Sequence, residues 1–237
     1  MVETVLRGRR RREHERLAQA AVAYAARGWP VCPGAFLPER GGDPAASGRA
    51  SSGRGASSGR GCSCDRIGCP APGAHPVSIA WQAQATTDPV IVGHWWTVLP
   101  EAGVILVTGR IFDVLDVPEA AGRAALAQME RSGVTPGPVA LSAAGRALFF
   151  VATRAAQSEE DEWWSCHLDC EPDMVPEVTG LRWHCRDSYV LAPPSRLPGG
   201  LTARWLRPPE LSPDAPPLPD ALRLLEFLAD ACEEQMT

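Results

Sequence analysis

The 237-residue chain contains no lysine, so all 23 of its basic side chains are arginines. It has no apolar run long enough for a membrane-spanning helix, which needs about 20 residues. Its arginine-rich beginning is not followed by the apolar segment of a secretory signal. The net charge of −5 also excludes a protein that coats nucleic acid by bulk positive charge, although a local basic groove is compatible with it. We therefore exclude the membrane and secreted classes and expect a cytoplasmic protein.

The composition is that of a globular domain. Hydrophobic residues make up 45% of the chain and charged residues 22%, which excludes a fibrous or wholly disordered protein. Alanine, glycine, proline and arginine, which have GC-rich codons, are abundant and indicate a bacterial genome of high GC content. The 8 cysteines are clustered, which in a reducing compartment favours metal ligation or free thiols over disulfides.

Residue periodicity predicts a series of helices and strands. Helices are predicted at 13–27, 87–99, 118–132 and 219–234. Strands are predicted at 29–32, 103–107, 112–117 and 189–192, with a hairpin at 139–142 and 147–152. This order predicts an α+β fold with one central sheet, mixed or largely antiparallel, that is flanked by helices and accompanied by a small Cys/His-rich loop.

Composition also predicts how the chain is divided. Residues 1–12 form a basic run that we interpret as a flexible arm before a main domain at 13–206. Within that domain, 38–61 contains the sequence ASSGRG twice in tandem and is predicted to be a disordered insertion. The proline-rich segment 207–220 is predicted to be a semi-rigid linker that leads to a C-terminal helix at 221–237.

Four metal-ligand residues follow the insertion with the spacing C-x-C-x4-C-x5-H: Cys62, Cys64, Cys69 and His75. Three thiolates and an imidazole can close a tetrahedral shell around Zn²⁺. The segment has little apolar content, so a metal would explain how it stays ordered. We predict a structural zinc knuckle at 62–75, with unliganded surface thiols as the alternative.

A second, weaker cluster comprises Cys166, Cys170, His184 and Cys185. A second zinc site is one interpretation, and buried cysteines that pack as small apolar side chains are the other. His184 stands two residues after Arg182, so we expect the two side chains to share one face of a strand.

Several motifs occur in an order that suggests a family. They lie at 24–31 (YAARGWPV), 85–89 (ATTDP), 103–109 (GVILVTG), 114–117 (VLDV), 145–150 (GRALFF) and 189–195 (YVLAPPS). Over about 17–206 the chain resembles the N-terminal domain of bifunctional DNA primase/polymerases, the prim-pol branch of the archaeo-eukaryotic primases. The motor motif G-x4-G-K-[ST], which is often fused to such domains, does not occur in the sequence.

The resemblance implies a chemistry. Members of the family transfer nucleotides with two divalent cations, Mg²⁺ or Mn²⁺, that are bound by carboxylates. They supply an acid-x-acid pair at a strand end and a third acid from a later strand. A histidine in the hairpin contacts the phosphates of the incoming nucleotide.

This sequence departs from that pattern at three positions. Asp116 matches the first acid, but Pro118 replaces the second acid, Ala147 the histidine and Arg182 the third acid. A single carboxylate cannot hold two Mg²⁺ ions, so we predict that polymerase activity is absent.

An alternative is an active primase/polymerase with a rebuilt metal site. Asp116, Glu119 and Asp187 are the candidate ligands, although Glu119 is out of phase with Asp116 along a regular strand.

The remaining residues of the cleft favour an anion. Arg146 and Arg182 would bind a phosphate, and by resemblance Thr108, Gly109, Pro194 and Ser195 would line the same cleft, unless they are only turns that define the fold. Our leading hypothesis is a nucleotide- or nucleic-acid-binding or regulatory module. A protein-interaction scaffold that docks a partner through the C-terminal helix is a further alternative.

Overall fold

The computed structural model describes residues 2–37, 62–64, 69–153, 180–197, 199–212 and 215–235. The helices are α1 (Val2–Ala26), α2 (Trp81–Gln84), α3 (Pro89–Val98), α4 (Glu119–Arg131) and α5 (Ala221–Glu234). The strands are β1 (Val31–Gly34), β2 (Gly103–Val107), β3 (Phe112–Pro118), β4 (Val139–Leu141), β5 (Arg146–Ala152), β6 (Arg182–His184), β7 (Tyr189–Ala192) and β8 (Arg204–Arg207). The predicted α+β class is confirmed.

The strands form two antiparallel sheets where the sequence suggested one. The first has the order β1-β2-β7 and the second the order β6-β3-β5-β4-β8. The chain changes sheet at a tight turn after β2, in which the Gly109 amide donates to the carbonyl of Phe112 at 2.9 Å. Gly109 has a φ of 78°, and an added Cβ would lie 2.2 Å from Cα of Arg186, so only glycine fits.

Helix α1 is longer than periodicity predicted. It begins at Val2, so the run interpreted as a flexible arm is helical, and arginine is indeed a good helix former. Leu17, Ala21, Tyr24 and Ala25 form its buried stripe, as the spacing indicated. None of the described helices is both long and apolar enough to cross a membrane.

Two hydrophobic cores lie on the two faces of the five-stranded sheet. Phe112 and Val114 of β3 face α1 and α3, and Leu115 and Val117 face α4 and α5. This alternation follows from the two-residue period of a strand. It places Asp116 on the same face as Phe112 and Val114, towards the three-stranded sheet.

The C-terminal helix belongs to the second core. The Asp220 carboxylate caps α5 by accepting a hydrogen bond from the Leu222 amide at 2.9 Å. Leu224 and Leu228 are buried in the cluster that α4 and the second sheet form. The segment predicted to be a linker is also attached to the body of the domain, because the Ala152 amide donates to the carbonyl of Pro219 at 2.8 Å. The apolar face of α5 is therefore covered by its own domain and is not a free docking surface.

Candidate functional site

Asp116 lies near the end of β3, between two neighbouring strands. Its register partners are Leu148 on β5 and Arg182 on β6. Only 5% of the residue is exposed. Because a buried carboxylate is stable only when it is paired, the identity of its partners decides what it can do.

Both carboxylate oxygens of Asp116 are engaged. Arg146 Nε donates to Oδ1 at 2.5 Å, and His184 Nε2 lies 3.2 Å from Oδ2. Arg146 Nη2 donates further to the backbone carbonyls of Asp116 at 3.1 Å and Gly180 at 2.7 Å. The Arg146 guanidinium thus links Asp116 to Gly180, just before β6. Charge-assisted hydrogen bonds of this kind are short and strong.

His184 connects this carboxylate to the junction of the two sheets. Since a carboxylate can only accept, His184 Nε2 is protonated towards Asp116. Its Nδ1 lies 3.0 Å from Ser188 Oγ, and the Ser188 carbonyl accepts from the Thr108 amide at 3.0 Å. His184 and Arg182 pair with Val114 and Asp116, so they lie on one face of β6. The two-residue spacing of Arg182 and His184 predicts that they share a face, but the sequence does not predict their register with β3.

The three replaced positions occupy different surroundings. Arg182 is directly across from Asp116, so a cation stands beside the retained acid. Pro118 ends β3 and precedes the first residue of α4. Ala147 pairs with Val117 and packs in the second core, on the opposite face of the sheet from Asp116. Arg146, rather than residue 147, presents its side chain to Asp116.

The two candidate replacement acids, Glu119 and Asp187, have surroundings that differ from those of Asp116. Glu119, in the first turn of α4, forms an ion pair with Arg123 at 2.8 Å. Asp187 is exposed in the turn between β6 and β7, with a φ of 61°. Among the residues that the structure describes, these acids and Asp116 form no group that could hold a metal ion.

The residues predicted to line an anion cleft separate into two places. Thr108 is buried and its Oγ1 donates to the Cys185 carbonyl at 2.6 Å. Ser195 is also buried, and its Oγ accepts from the Val104 amide at 2.7 Å. Thr108 follows the end of β2 whereas Val104 lies near its beginning, about 13 Å away along the strand. Gly109 accompanies Thr108, and Pro194 accompanies Ser195.

The first Cys/His group is assembled. The ligand atoms of Cys62, Cys64, Cys69 and His75 all lie within 4.8 Å of one another, so the group could hold a metal ion. His75 Nε2 is 3.5 Å from Cys62 Sγ and 3.2 Å from Cys69 Sγ. His75 Nδ1 lies 2.7 Å from the Pro76 carbonyl, which can only accept, so Nδ1 carries the proton and Nε2 keeps the lone pair that a metal needs.

The environment of Cys62 favours its thiolate. Burial raises the pKa of this thiol, but hydrogen bonds from the backbone of Cys64 and Gly73 outweigh burial and lower the pKa to about 7. The loop is fixed to the first sheet, because the Ala35 amide donates to the His75 carbonyl at 2.7 Å. A fixed loop with a ready thiolate is suited to metal binding.

The second predicted cluster is only partly described. Cys166 and Cys170 lie outside the described residues. His184 belongs to the Asp116 network, and the Cys185 carbonyl accepts from Thr108.

Comparisons with known proteins identify the family. No curated protein matches the chain. A family model described as "Bifunctional DNA primase/polymerase, N-terminal" matches residues 21–221, which extend from α1 to the first residue of α5. The match includes both sheets, Asp116 with its partners and the Cys/His group. This chain therefore belongs to the family of bifunctional DNA primase/polymerase N-terminal domains.

Proposed function

We propose that this primase/polymerase-like domain binds nucleotide or nucleic-acid phosphates without catalysing nucleotidyl transfer, as a binding or regulatory module. The observation that carries the proposal is that both carboxylate oxygens of Asp116 are engaged, one with Arg146 and the other with His184.

Two-cation catalysis requires carboxylates that are free to bind metal. Asp116 would have to exchange a close ion pair with Arg146 for a cation, in a place where Arg182 adds a second positive charge. Repulsion between like charges opposes cation binding more strongly in a poorly solvated place than in water. The same two guanidinium groups favour an anion.

Arg182 is the side chain best placed to take that anion. It is half-buried on the face of β6 that carries His184, and it makes no hydrogen bond or ion pair with any other residue that the structure describes. A guanidinium offers several donors in a planar arrangement that suits phosphate oxygens.

The metal group serves a separate, structural role in this proposal. Three cysteines and one histidine are a donor set that Zn²⁺ prefers in a tetrahedral site. Cys62, Cys64, Cys69 and His75 would supply all four positions, so no open position would remain for water or substrate. The ion would stabilise the loop next to β1.

The test combines an activity assay with a binding assay. Purified protein is offered a primer–template with deoxynucleotides or ribonucleotides and Mg²⁺ or Mn²⁺, and binding of a labelled nucleotide and a labelled DNA strand is followed by fluorescence anisotropy. We expect no extension, and salt-sensitive binding that Arg182→Gln weakens. Arg223→Gln, an exposed arginine on α5, is the matched control and should bind as the parent does.

Other outcomes favour the alternatives. Extension that Asp116→Ala abolishes would show an active polymerase with a rebuilt metal site. Absence of both extension and binding would contradict the proposal and favour a scaffold that binds another protein.

A further inference from the structure

The first half of α1 extends beyond the hydrophobic core. Leu17 is the first buried side chain among those described in this helix. The preceding residues 7–16 contain six arginines and two glutamates, in a protein whose formal net charge is −5. The arginines are Arg7, Arg9, Arg10, Arg11, Arg12 and Arg16. The helix therefore carries a concentrated positive charge that contrasts with the rest of the molecule.

Three of these arginines form a row along one side of the helix. Arg9, Arg12 and Arg16 are exposed and are separated by three and four residues, the spacing that aligns side chains on one helical face. With 3.6 residues per turn, the row lies about 130° around the axis from the buried stripe that begins with Leu17 and Ala21. The row is about 10 Å long and points away from the core.

The two acids within residues 7–16 form ion pairs with arginines outside the row. Glu15 pairs with Arg11 at 2.8 Å, and Glu13 pairs with Arg196 at 2.8 Å. Arg9 and Arg16 form no hydrogen bond or ion pair with the residues that the structure describes. Arg12 Nε donates to the Gly8 carbonyl at 3.2 Å, and Arg12 forms no ion pair within the described part of the chain.

We propose that the row of Arg9, Arg12 and Arg16 is a docking surface for the phosphate backbone of DNA. This inference rests on the proposed function, because it assumes that nucleic acid is a ligand. Duplex DNA carries one phosphate charge per about 1.7 Å of its axis, so a 10 Å row of three guanidinium groups can contact about two or three of the phosphates that face it. Such contacts position DNA without reading its sequence.

An anionic membrane is the competing partner for a basic helix. A helix that lies on a membrane needs an apolar face opposite its charges. Residues 7–16 read RGRRRREHER and contain no large apolar side chain. The composition of this segment therefore favours DNA phosphates over a lipid surface.

The test compares R9Q/R12Q/R16Q with R123Q/R131Q/R223Q, a control that removes the same charge from exposed positions on α4 and α5. Glutamine has nearly the same helix propensity as arginine, and circular dichroism verifies that both variants fold. Affinity for labelled single-stranded and duplex DNA is measured over a range of salt concentrations. On duplex DNA, log K falls as log salt rises, and the row variant should make this slope shallower by about 2 to 3. Each lost phosphate contact reduces the magnitude of the slope by about 0.9. The control should leave that slope unchanged.

The binding measurements distinguish failure of the docking surface from failure of the proposed function. If the parent binds DNA and the row variant keeps its slope, the row is not the docking surface although the domain still binds. If the parent binds neither DNA nor nucleotide, both proposals fall. Equal, row-dependent binding to vesicles of anionic lipid would also overturn the assignment to DNA.

Discussion

Arg182 stands directly across from Asp116 on neighbouring antiparallel strands. The family resemblance assigns a metal-binding acid to position 182, so the geometry places a guanidinium where that carboxylate would help to hold a cation.

Restoring the missing acids should restore cation binding. P118D/R182D places carboxylates two residues after Asp116 and across from it, and it removes the positive charge of Arg182. We expect Mn²⁺ affinity to rise at least tenfold, which is about 1.4 kcal/mol, as measured by titration calorimetry. The same double variant with Asp116→Asn is the control and should lose the gain. Unchanged Mn²⁺ affinity would show that Asp116 does not mark a former cation site.

Removing Arg146 should destabilise the fold. The Asp116 side chain is only 7% exposed, and Arg146→Ala removes the arginine that pairs with its carboxylate. Breaking this partly buried ion pair should lower the free energy of unfolding by about 2–4 kcal/mol, less than for a fully buried pair. Urea unfolding measures the change in the free energy of unfolding. The double variant R146A/D116A should recover part of the lost stability, because it no longer buries the unpaired carboxylate of Asp116. If R146A is as stable as the parent, the ion pair does not stabilise the fold.

The metal-free loop should respond to pH through Cys62. The fold lowers the pKa of this thiol from 9.0 to about 7, so it favours the thiolate. The resulting stabilisation is fully present above about pH 9 and is lost as the pH falls through 7. Alkylation of Cys62 by iodoacetamide, followed by mass spectrometry, should therefore show a midpoint near pH 7. Cys32 is the internal control, because burial raises its pKa to about 12 and its thiol should stay unreactive. A Cys62 midpoint near 9 would contradict the lowered pKa.

Metal removal should affect the loop and spare the Asp116 network. The purified chain should contain equimolar zinc, and a strong chelator or His75→Ala should abolish it, as measured by elemental analysis. Hydrogen exchange should then accelerate around Ala35 and Val77, whose amides are bonded to the loop and to β1. Cys232→Ser, at a buried cysteine outside the group, should leave the zinc content unchanged. Full zinc content in His75→Ala would show that the histidine is not a ligand.

Much of the fold was accessible from the sequence. Apolar runs such as 103–107 identify buried strands, and Gly145 between two such runs identifies the hairpin of β4 and β5. Strand partners were not accessible, because periodicity gives no information on which strand pairs with which. For this reason β2 and β3 were expected in one sheet although they lie in two.

Hydrophobic periodicity did not detect the short edge strands, although the spacing of Arg182 and His184 suggested a strand there. β6 and β8 have three and four residues, occupy the two edges of the five-stranded sheet and carry arginines, so they show no apolar alternation long enough to detect.

The site was predictable only in part. The spacing of Arg182 and His184 places both side chains on one face, but the register that brings His184 to Asp116 depends on pairing between distant segments. Thr108 and Ser195 were expected in one cleft because their motifs belong to one family pattern. In the structure the Thr108 hydroxyl, just after the end of β2, donates to the Cys185 carbonyl, whereas the Ser195 hydroxyl accepts from the Val104 amide near the beginning of β2.

The packing of α5 limits how far the C-terminal end of this domain can be truncated. Similarity to the family ends at residue 221, yet Leu224 and Leu228 beyond that point are fully buried. A fragment trimmed at the limit of similarity would lose that cover and present a bare apolar surface to solvent, which promotes aggregation. The smallest expressible unit therefore extends at least to Glu234, and truncated versions of this chain should be avoided in any assay of binding.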